Sequence, residues 1–404
     1  MSRVRTATAR RIYDSRGADT LEVRLTTDGG TDASVGAPSG ASTGAHEVVA
    51  WPKGGVTEAL ATFAERVAPR LVGRSTEDLA GWDAALHEAD ATGSFARIGG
   101  NTATAASLAL ARVRASETKS ELWSVLRRPG VDGRTFPAIV GNCLNGGRHA
   151  IGGPEIQEFH AYSPAPRPAD SVRAALAVHR RVGQLLQKRL PGHALGRGDE
   201  GGWVAPLGNV DALEILTEAC ANVRDELRVP VFPGLDLAAS EFYKDGRYVY
   251  RERTVDAEGQ VAFLAELVDR HGLKYVEDPF QEEDFRSFAA LTKAVGDRCQ
   301  IVGDDLYTTA ADRLAEGLAL GSSNAILIKV NQVGTLTDTF RTIDLARSRG
   351  LGTVTSHRSG DLPDGWLAQL AVASAASGLK CGLLGGERVA KLNELLRLGA
   401  ATGA

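Results

Sequence analysis

The 404-residue chain has no Cys-x-x-Cys pair, no apolar run long enough to cross a bilayer and no block of like charge. Each absence removes a class of protein. The four cysteines, Cys143, Cys220, Cys299 and Cys381, are widely scattered, so neither a zinc site nor a disulfide framework is indicated and a reduced compartment fits. No stretch reaches the roughly 18 uncharged apolar residues of a spanning helix. The opening Met1-Ser2-Arg3-Val4-Arg5 lacks the apolar core of a signal peptide, so a cytoplasmic protein is expected. Lys and Arg number 46 against 50 Asp and Glu, which gives neither nucleic acid nor an anionic membrane a surface to bind. A small molecule is the expected partner. Low-complexity tracts and sequence repeats are also missing.

What is present suits a globular chain of two or three domain equivalents, with 43% hydrophobic and 24% charged residues. The start reads as strand, turn, strand: Arg11-Ile12-Tyr13, the turn Asp14-Ser15-Arg16-Gly17, then the alternating run Thr20 to Thr26 and a second turn at Asp28-Gly29-Gly30. Helical patterns follow over Val56 to Leu71 and Thr102 to Ala115. The Gly- and Pro-containing passage Arg128 to Gly133 predicts a boundary, with an α+β unit over 1–130 and a second domain over 131–404. Beyond it, short β-rich runs (Val231 to Leu237, Tyr275 to Glu277, Gln300 to Val302, Ala325 to Val330, Gly352 to Thr355) alternate with amphipathic stretches (Ala257 to Arg270, Phe285 to Ala294, Ala311 to Leu318, Thr337 to Ser348, Trp366 to Ala376). That alternation predicts βα units, and a span near the roughly 250 residues of a closed barrel favours a βα (TIM-like) barrel over an open sheet.

Polar residues stand where these strands end: Asp236, Glu277, Asp304, Lys329 and His357 follow one another about one βα unit apart. In a barrel they converge on one rim, the rim that carries active sites. Three carboxylates without His or Cys beside them describe a hard-cation site, for which Mg²⁺ is the ordinary occupant. Any single acid could be a helix cap or a loop residue. Three in successive units, followed by a lysine directly after Ala-Ile-Leu-Ile, are harder to explain that way, because charges are rarely buried without a partner. Lys329 must either pair with acids or sit neutral with a lowered pKa, and a lysine so placed suits a general base. Upstream, Gly198-Asp199-Glu200-Gly201-Gly202 sets an acid among glycines, where backbone can approach a ligand. Asn145 to His149 and Gln157-Glu158-Phe159 are weak in isolation. The loop Ser39 to Gly44 reads as a mobile lid whose small residues let backbone and hydroxyls touch a phosphate or metal, or as a flexible connection.

Taken together, Asp14 to Gly17, Pro38 to Gly44, Leu144 to Gly147 with His149, Gln157 to Phe159, Gly198 to Gly202, Ala238 to Gly246, Gly303 to Leu306, Ile328 to Gln332 and Ser356 to Gly360 resemble the enolase family over nearly the whole chain. The resemblance implies an α+β N-terminal domain followed by an enolase-type βα barrel in which an early strand runs antiparallel. It implies dehydration of 2-phosphoglycerate to phosphoenolpyruvate with two Mg²⁺ ions per site. By position, Asp236, Glu277 and Asp304 hold the first ion and Ser42 helps to hold the second. Lys329 is then the base, and Glu200, assisted by Glu158, the acid. Lys380 binds the substrate carboxylate, Arg358 and Ser359 clamp the phosphate, and His149, Gln157 and His357 line the pocket. A homodimer is implied, with Glu22 and Arg397 as an intersubunit ion pair.

The sequence departs from the family pattern in loops. Trp51-Pro52-Lys53-Gly54-Gly55-Val56 is short and lacks two acids, Asp361-Leu362-Pro363-Asp364 replaces a Glu-Thr-Glu-Asp, and Gly385-Gly386-Glu387-Arg388 has lost an arginine. These changes leave open a specialised paralogue that acts on a phosphonylated, phosphonoformyl-type glycerate to give carboxyphosphonoenolpyruvate, and a non-catalytic binding relative. A racemase- or cycloisomerase-type barrel shares the acids and the lysine but is not expected to carry the Ser42 loop or the Ser356-His357-Arg358-Ser359 run.

Overall fold

The structure is a computed structural model that describes residues 2–40, 44–150 and 152–403. Ser42, assigned above to a metal, lies outside the described residues. The chain opens with an antiparallel meander, β1 (Val4–Tyr13), β2 (Asp19–Thr27) and β3 (Asp32–Gly36). β1 begins seven residues before the run legible in sequence, because its outer residues, Arg5 among them, are exposed and break the apolar pattern. Leu21, Val23 and Leu25 of β2 point inward and are fully buried. The helices are α1 (Gly55–Thr62), which continues through a π-turn to Leu71, then α2 (Leu79–Asp90) and α3 (Gly100–Glu117). α3 is buried almost all round, which its Ala, Ser and Thr permit. It packs against β2 and β3 and also meets the barrel: Thr104 Oγ1 donates to Gly334 O at 3.0 Å, and Asn331 Nδ2 to Asn101 Oδ1 at 2.9 Å.

The barrel strands are β4 (Ala138–Asn145), β5 (Glu158–Ser163), β6 (Phe232–Asp236), β7 (Tyr275–Glu277), β8 (Gln300–Gly303), β9 (Ala325–Ile328), β10 (Gly352–Ser356) and β11 (Gly378–Gly382). They pair in order, and β11 closes on β4. Only β5 is antiparallel to its neighbours among these strands. Two helices, α4 (Pro168–Arg189) and α5 (Asn209–Leu227), separate β5 from β6, after which strand and helix alternate: α6 (Ala257–His271), α7 (Phe285–Val295), α8 (Ala311–Leu320), α9 (Leu336–Ser348), α10 (Trp366–Ala373) and α11 (Gly386–Thr402).

Strand residues are buried on both faces, as expected under a ring of helices. The interior is plugged by Val140, Tyr275, Val302, Ala325, Leu327 and Val354. Because side chains alternate along a strand, the residue two places after an inward apolar one also points into the barrel, one layer nearer the rim. Tyr275 is thus followed by Glu277, Val302 by Asp304, Leu327 by Lys329 and Val354 by Ser356. This period of two delivers the chemistry to one end. β9 stops at Ile328, so Lys329 stands just past the strand and Val330–Val333 form a short helical turn.

Candidate active site

The sequence-assigned side chains gather at the C-terminal rim. Gln157, Glu158, Glu200, Asp236, Asp304, Lys329, His149, His357, Arg358, Ser359 and Lys380 all line one cleft. Glu277 lies beneath it, fully buried, with its Cα paired to that of Asp236 on the adjacent strand.

Two lysines organise the acids. Lys380 Nζ donates to Asp236 Oδ2 at 2.9 Å and Glu277 Oε1 at 2.6 Å, and lies 3.6 Å from Glu158 Oε2. One ammonium cannot neutralise three buried carboxylates. Burial, followed by the charge of Asp236, therefore pushes the Glu277 carboxyl well above the usual range despite Lys380. Burial also opposes the charge on Lys380 itself, but Asp236, Glu158 and Glu277 outweigh it and hold the ammonium well above its ordinary pKa. Lys329 pairs with Asp304, whose other oxygen accepts from Gln332 Nε2 at 3.0 Å. Burial pushes Asp304 up, but Lys329 and Lys380 together bring it below the ordinary value. Burial likewise disfavours the Lys329 ammonium, yet Asp304 keeps its pKa raised. Of the two alternatives open in sequence, Lys329 takes the paired one.

Among the described residues, the acids whose oxygens come within 4.8 Å of one another at this wall are Asp278, Asp304 and Asp305, not Asp236, Glu277 and Asp304. Lys380 stands between Asp236 and Glu277, and Asp278 is engaged structurally, accepting from the backbone N–H groups of Asp304 at 2.9 Å and Asp305 at 2.8 Å. The donors nonetheless suit a hard divalent cation. They are all carboxylate oxygens, their charge exceeds that of Lys329 and Lys380, and the neighbouring Gln157 Oε1 is a buried acceptor with no donor among the described residues.

Glu200 occupies a different part of the rim. It sits in a tight turn where Gly201 adopts a positive φ of 81° and donates to Gly198 O at 2.9 Å. A Cβ on Gly382 of β11 would fall 2.1 Å from Glu200 O, so the bare backbone there allows the turn to approach the barrel. Glu200 Oε2 accepts from Asn142 Nδ2 at 3.2 Å and lies 3.3 Å from His357 Nε2 and 4.0 Å from His149 Nδ1. Glu158 pairs with His160 Nε2 at 2.7 Å and lies 3.3 Å from His149 Nδ1. Burial and Glu158 both push Glu200 up, but His357 and His149 prevail and hold it at about 2. Burial pulls His149 down, while Glu200 and Glu158 raise it to about 9. Glu158 is pushed up by burial but held well below its ordinary range by Lys380, His149 and His160. The resting pair is therefore anionic, compensated by cationic His149 and Lys380.

The wall around Arg358 and Ser359 contains residues not singled out in sequence. Arg358 makes a two-pronged pair with Glu47 at 3.0 and 3.1 Å and also donates to Asn331 Oδ1 at 3.1 Å. Glu47 further accepts from Gly44 N at 3.1 Å and Gln332 Nε2 at 3.4 Å. The N-terminal sheet reaches the same place: Ser39 Oγ donates to Asp14 Oδ2 at 2.6 Å, Ser39 bridges to Gly360, Ser15 Oγ donates to Ser359 O at 3.3 Å and Arg16 pairs with Asp199 at 2.9 Å. The variant loop is structural. Asp361 is buried against Arg388 at 3.2 Å and Lys391 at 3.1 Å, and Leu362 packs over Gly36. Glu22 and Arg397 each have partners within the chain, Glu22 with Arg10 at 2.8 Å and Arg397 with Glu121 at 2.6 Å and Glu394 at 2.7 Å.

Comparison with known proteins agrees with this architecture. Residues 4–126 match the family model described as the enolase N-terminal domain, and residues 134–404 match that of the enolase C-terminal TIM barrel domain. The chain is 46% identical over 395 residues to an enolase of Methanothermobacter thermautotrophicus, which covers 96% of this chain and 94% of the relative. It is 45% identical over 404 residues to an enolase of Halobacterium salinarum, covering 98% and 99%. To an enolase of Picrophilus torridus it is 38% identical over 389 residues, with 96% of each chain covered. Two matched domains, full-length relatives and a rim of acids and lysines at the end of an eight-stranded barrel place the chain in the enolase family of hydro-lyases.

Proposed function

We propose that the protein is a cytoplasmic, Mg²⁺-dependent enolase that dehydrates 2-phosphoglycerate to phosphoenolpyruvate. The observation that supports this most is the separation of two proton-handling groups on one cleft, Lys329 with Asp304 at one wall and Glu200 with Glu158 at another. Lys329 removes the proton beside the substrate carboxylate, and the electron pair moves onto the carboxylate oxygens. As that pair returns, the bond to the β-hydroxyl breaks, and a proton from Glu200 lets the hydroxyl leave as water. Lys380 faces the developing charge, Arg358 and Ser359 hold the phosphate, and His149, Gln157 and His357 shape the pocket.

Asp236, Glu277 and Asp304 would hold the first Mg²⁺, and Ser42 the second. Bound there, the ion would supply positive charge against the carboxylate oxygens, and Asp304, drawn to it, would support the Lys329 ammonium less. A lysine base working beside Mg²⁺ is a known arrangement of the enolase superfamily, and the roles given to Lys329 and the acids follow it. Glu200 must gain a proton before giving one, and a polyanionic substrate beside Glu158 raises its affinity for that proton. The same reading divides the chain into an α+β unit over 1–130 and a barrel over 131–404, and has it act as a homodimer. Among the described residues no helix is long and apolar enough to cross a membrane.

The loop departures favour the ordinary substrate over a phosphonoformyl analogue, since Asp361 and Leu362 are committed to packing and not to the cleft. The test is absorbance growth from the enol product when purified protein meets 2-phosphoglycerate and Mg²⁺. Turnover in the ordinary enzyme range, around 10 per second, that stops with chelator supports the reading. Product only from the phosphonoformyl glycerate supports the paralogue, and none from either supports a binding protein.

A further inference from the structure

Arg388 belongs to the variant segment Gly385 to Arg388, and the mechanism above gives it no part. It is fully shielded from solvent at the start of α11, more so than the buried Arg358. Its Nη1 lies 2.6 Å from His357 Nδ1 and donates to Arg358 O at 2.6 Å, and its Nη2 donates to Ser359 O at 2.7 Å and Asp199 O at 3.5 Å. One guanidinium thus grips the backbone of the anion clamp and of the residue before Glu200.

The contact with His357 carries chemical information. A guanidinium has only N–H donors and does not lose its proton in proteins, so the nitrogen facing it must offer a lone pair. Gly382 N–H also points at Nδ1, from 3.4 Å. With two donors on Nδ1, the ring proton has one place left, Nε2, and Nε2 faces Glu200 Oε2 at 3.3 Å. A second proton would set an N–H against the guanidinium. The charged groups facing the ring are Glu200, Arg388 and Asp361. Burial lowers the imidazole pKa, Glu200 raises it and Arg388 lowers it again, with a net downward shift.

We propose that Arg388 is a positioning residue for Glu200: it locks His357 as the neutral Nε2–H tautomer, which donates a hydrogen bond to Glu200 without adding a positive charge. The distinction matters for an acid that must be protonated during turnover. An imidazolium at this distance would add its charge to that of His149 in holding Glu200 as a carboxylate, whereas a neutral donor orients Glu200 and leaves its proton affinity to His149, Glu158 and the substrate. This inference rests on reading Glu200 as the acid, and its test is chosen to be separable from that reading.

The direct test is nitrogen NMR of protein labelled with ¹⁵N in its histidine rings, with His357 assigned from the spectrum of H357Q. The expected result is an unprotonated Nδ1 and a protonated Nε2, unchanged between about pH 6 and 9, where a free histidine would complete its titration. A protonated Nδ1 or an imidazolium at neutral pH overturns the proposal, whatever the variants do. R388M, which removes the donors, should let His357 gain a second proton, add an ionisation to the kcat profile, and lower kcat by about tenfold to a hundredfold with little change in KM. R388K keeps a cationic donor on a single nitrogen and should restore the tautomer and part of the rate. A folded R388M with an unchanged tautomer and kcat overturns the proposal, and if R388M does not fold, the unsubstituted protein still decides. The expected tautomer together with full activity in E200Q would leave the lock standing and remove Glu200 as the acid.

Discussion

Replacing Lys380 by methionine isolates the electrostatic problem that the barrel rim has to solve. The ammonium lies 2.9 Å from Asp236, 2.6 Å from Glu277 and 3.6 Å from Glu158, and all four side chains are at most 5% exposed. Methionine keeps the volume of the stem and removes the charge, leaving Asp236 and Glu277 without Lys380 and Glu158 with only its histidine partners. Removing one member of a buried ion pair costs about 3–5 kcal/mol. At about 2.1 cal/mol/K per residue, unfolding entropy for a chain of this length is roughly 0.85 kcal/mol/K, so Tm in chelator should fall by about 4–6 °C if unfolding is two-state. The sign with pH follows from the carboxylates. With Lys380 gone, Glu277 is pushed further above its unfolded value and Glu158 loses the charge that held it lowest, so the penalty is full above the folded values and vanishes as pH falls below the unfolded ones. The deficit should therefore shrink from pH 8 towards about pH 4, and added Mg²⁺ should reduce it at neutral pH by supplying the missing charge. Calorimetric melts of both proteins measure this. A K380M protein that melts with the parent at every pH would refute the reasoning.

Two further substitutions probe the supports of the site. Asp83 of α2 accepts from Thr337 N at 2.9 Å and Oγ1 at 2.6 Å at the start of α9, and burial raises its carboxyl to about 6 from 3.8. A raised acid costs nothing below its unfolded pKa and most above its folded one, so D83N should gain about 2–3 kcal/mol on the parent between pH 4 and 7, read from urea unfolding, and parallel pH curves would contradict this. Gly382→Ala would set a methyl group 2.1 Å from Glu200 O and 3.0 Å from Arg388 Cγ, so kcat should fall on the order of a hundredfold as the turn is displaced. Unchanged kcat in a folded G382A protein would show that the close approach of Glu200 is dispensable.

The parts of the barrel legible in sequence share a simple design. In β7 to β9 an apolar run ends in one or two charged residues, so both the strand and its chemistry stand out. β4, β5 and β11 lack that contrast. β11 is Gly-Leu-Lys-Cys-Gly, with Lys380 as its one charged residue, and β5 carries Glu158 at its start and His160 in its middle. Gly141 of β4 interrupts the pattern because a Cβ there would fall 2.7 Å from Leu383. α3 exceeds its predicted helix by only a turn, yet its burial on all sides does not show in a sequence of small residues. Glu47 was invisible because its partner Arg358 lies 311 residues away, and Arg388 because half of its partners are backbone carbonyls, which carry no sequence signal. The pairing of Lys329 with Asp304 needed geometry, since an apolar strand ending in lysine is compatible with either protonation state.

The assignment of Lys329 as base and Glu200 as acid is tested most directly by hydrogen exchange at the carbon beside the carboxylate, followed in heavy water with 2-phosphoglycerate and Mg²⁺. E200Q should keep exchanging that hydrogen while product formation falls by about 10²–10⁴-fold, and K329A should lose both. Exchange that survives in K329A at the parental rate would contradict the account.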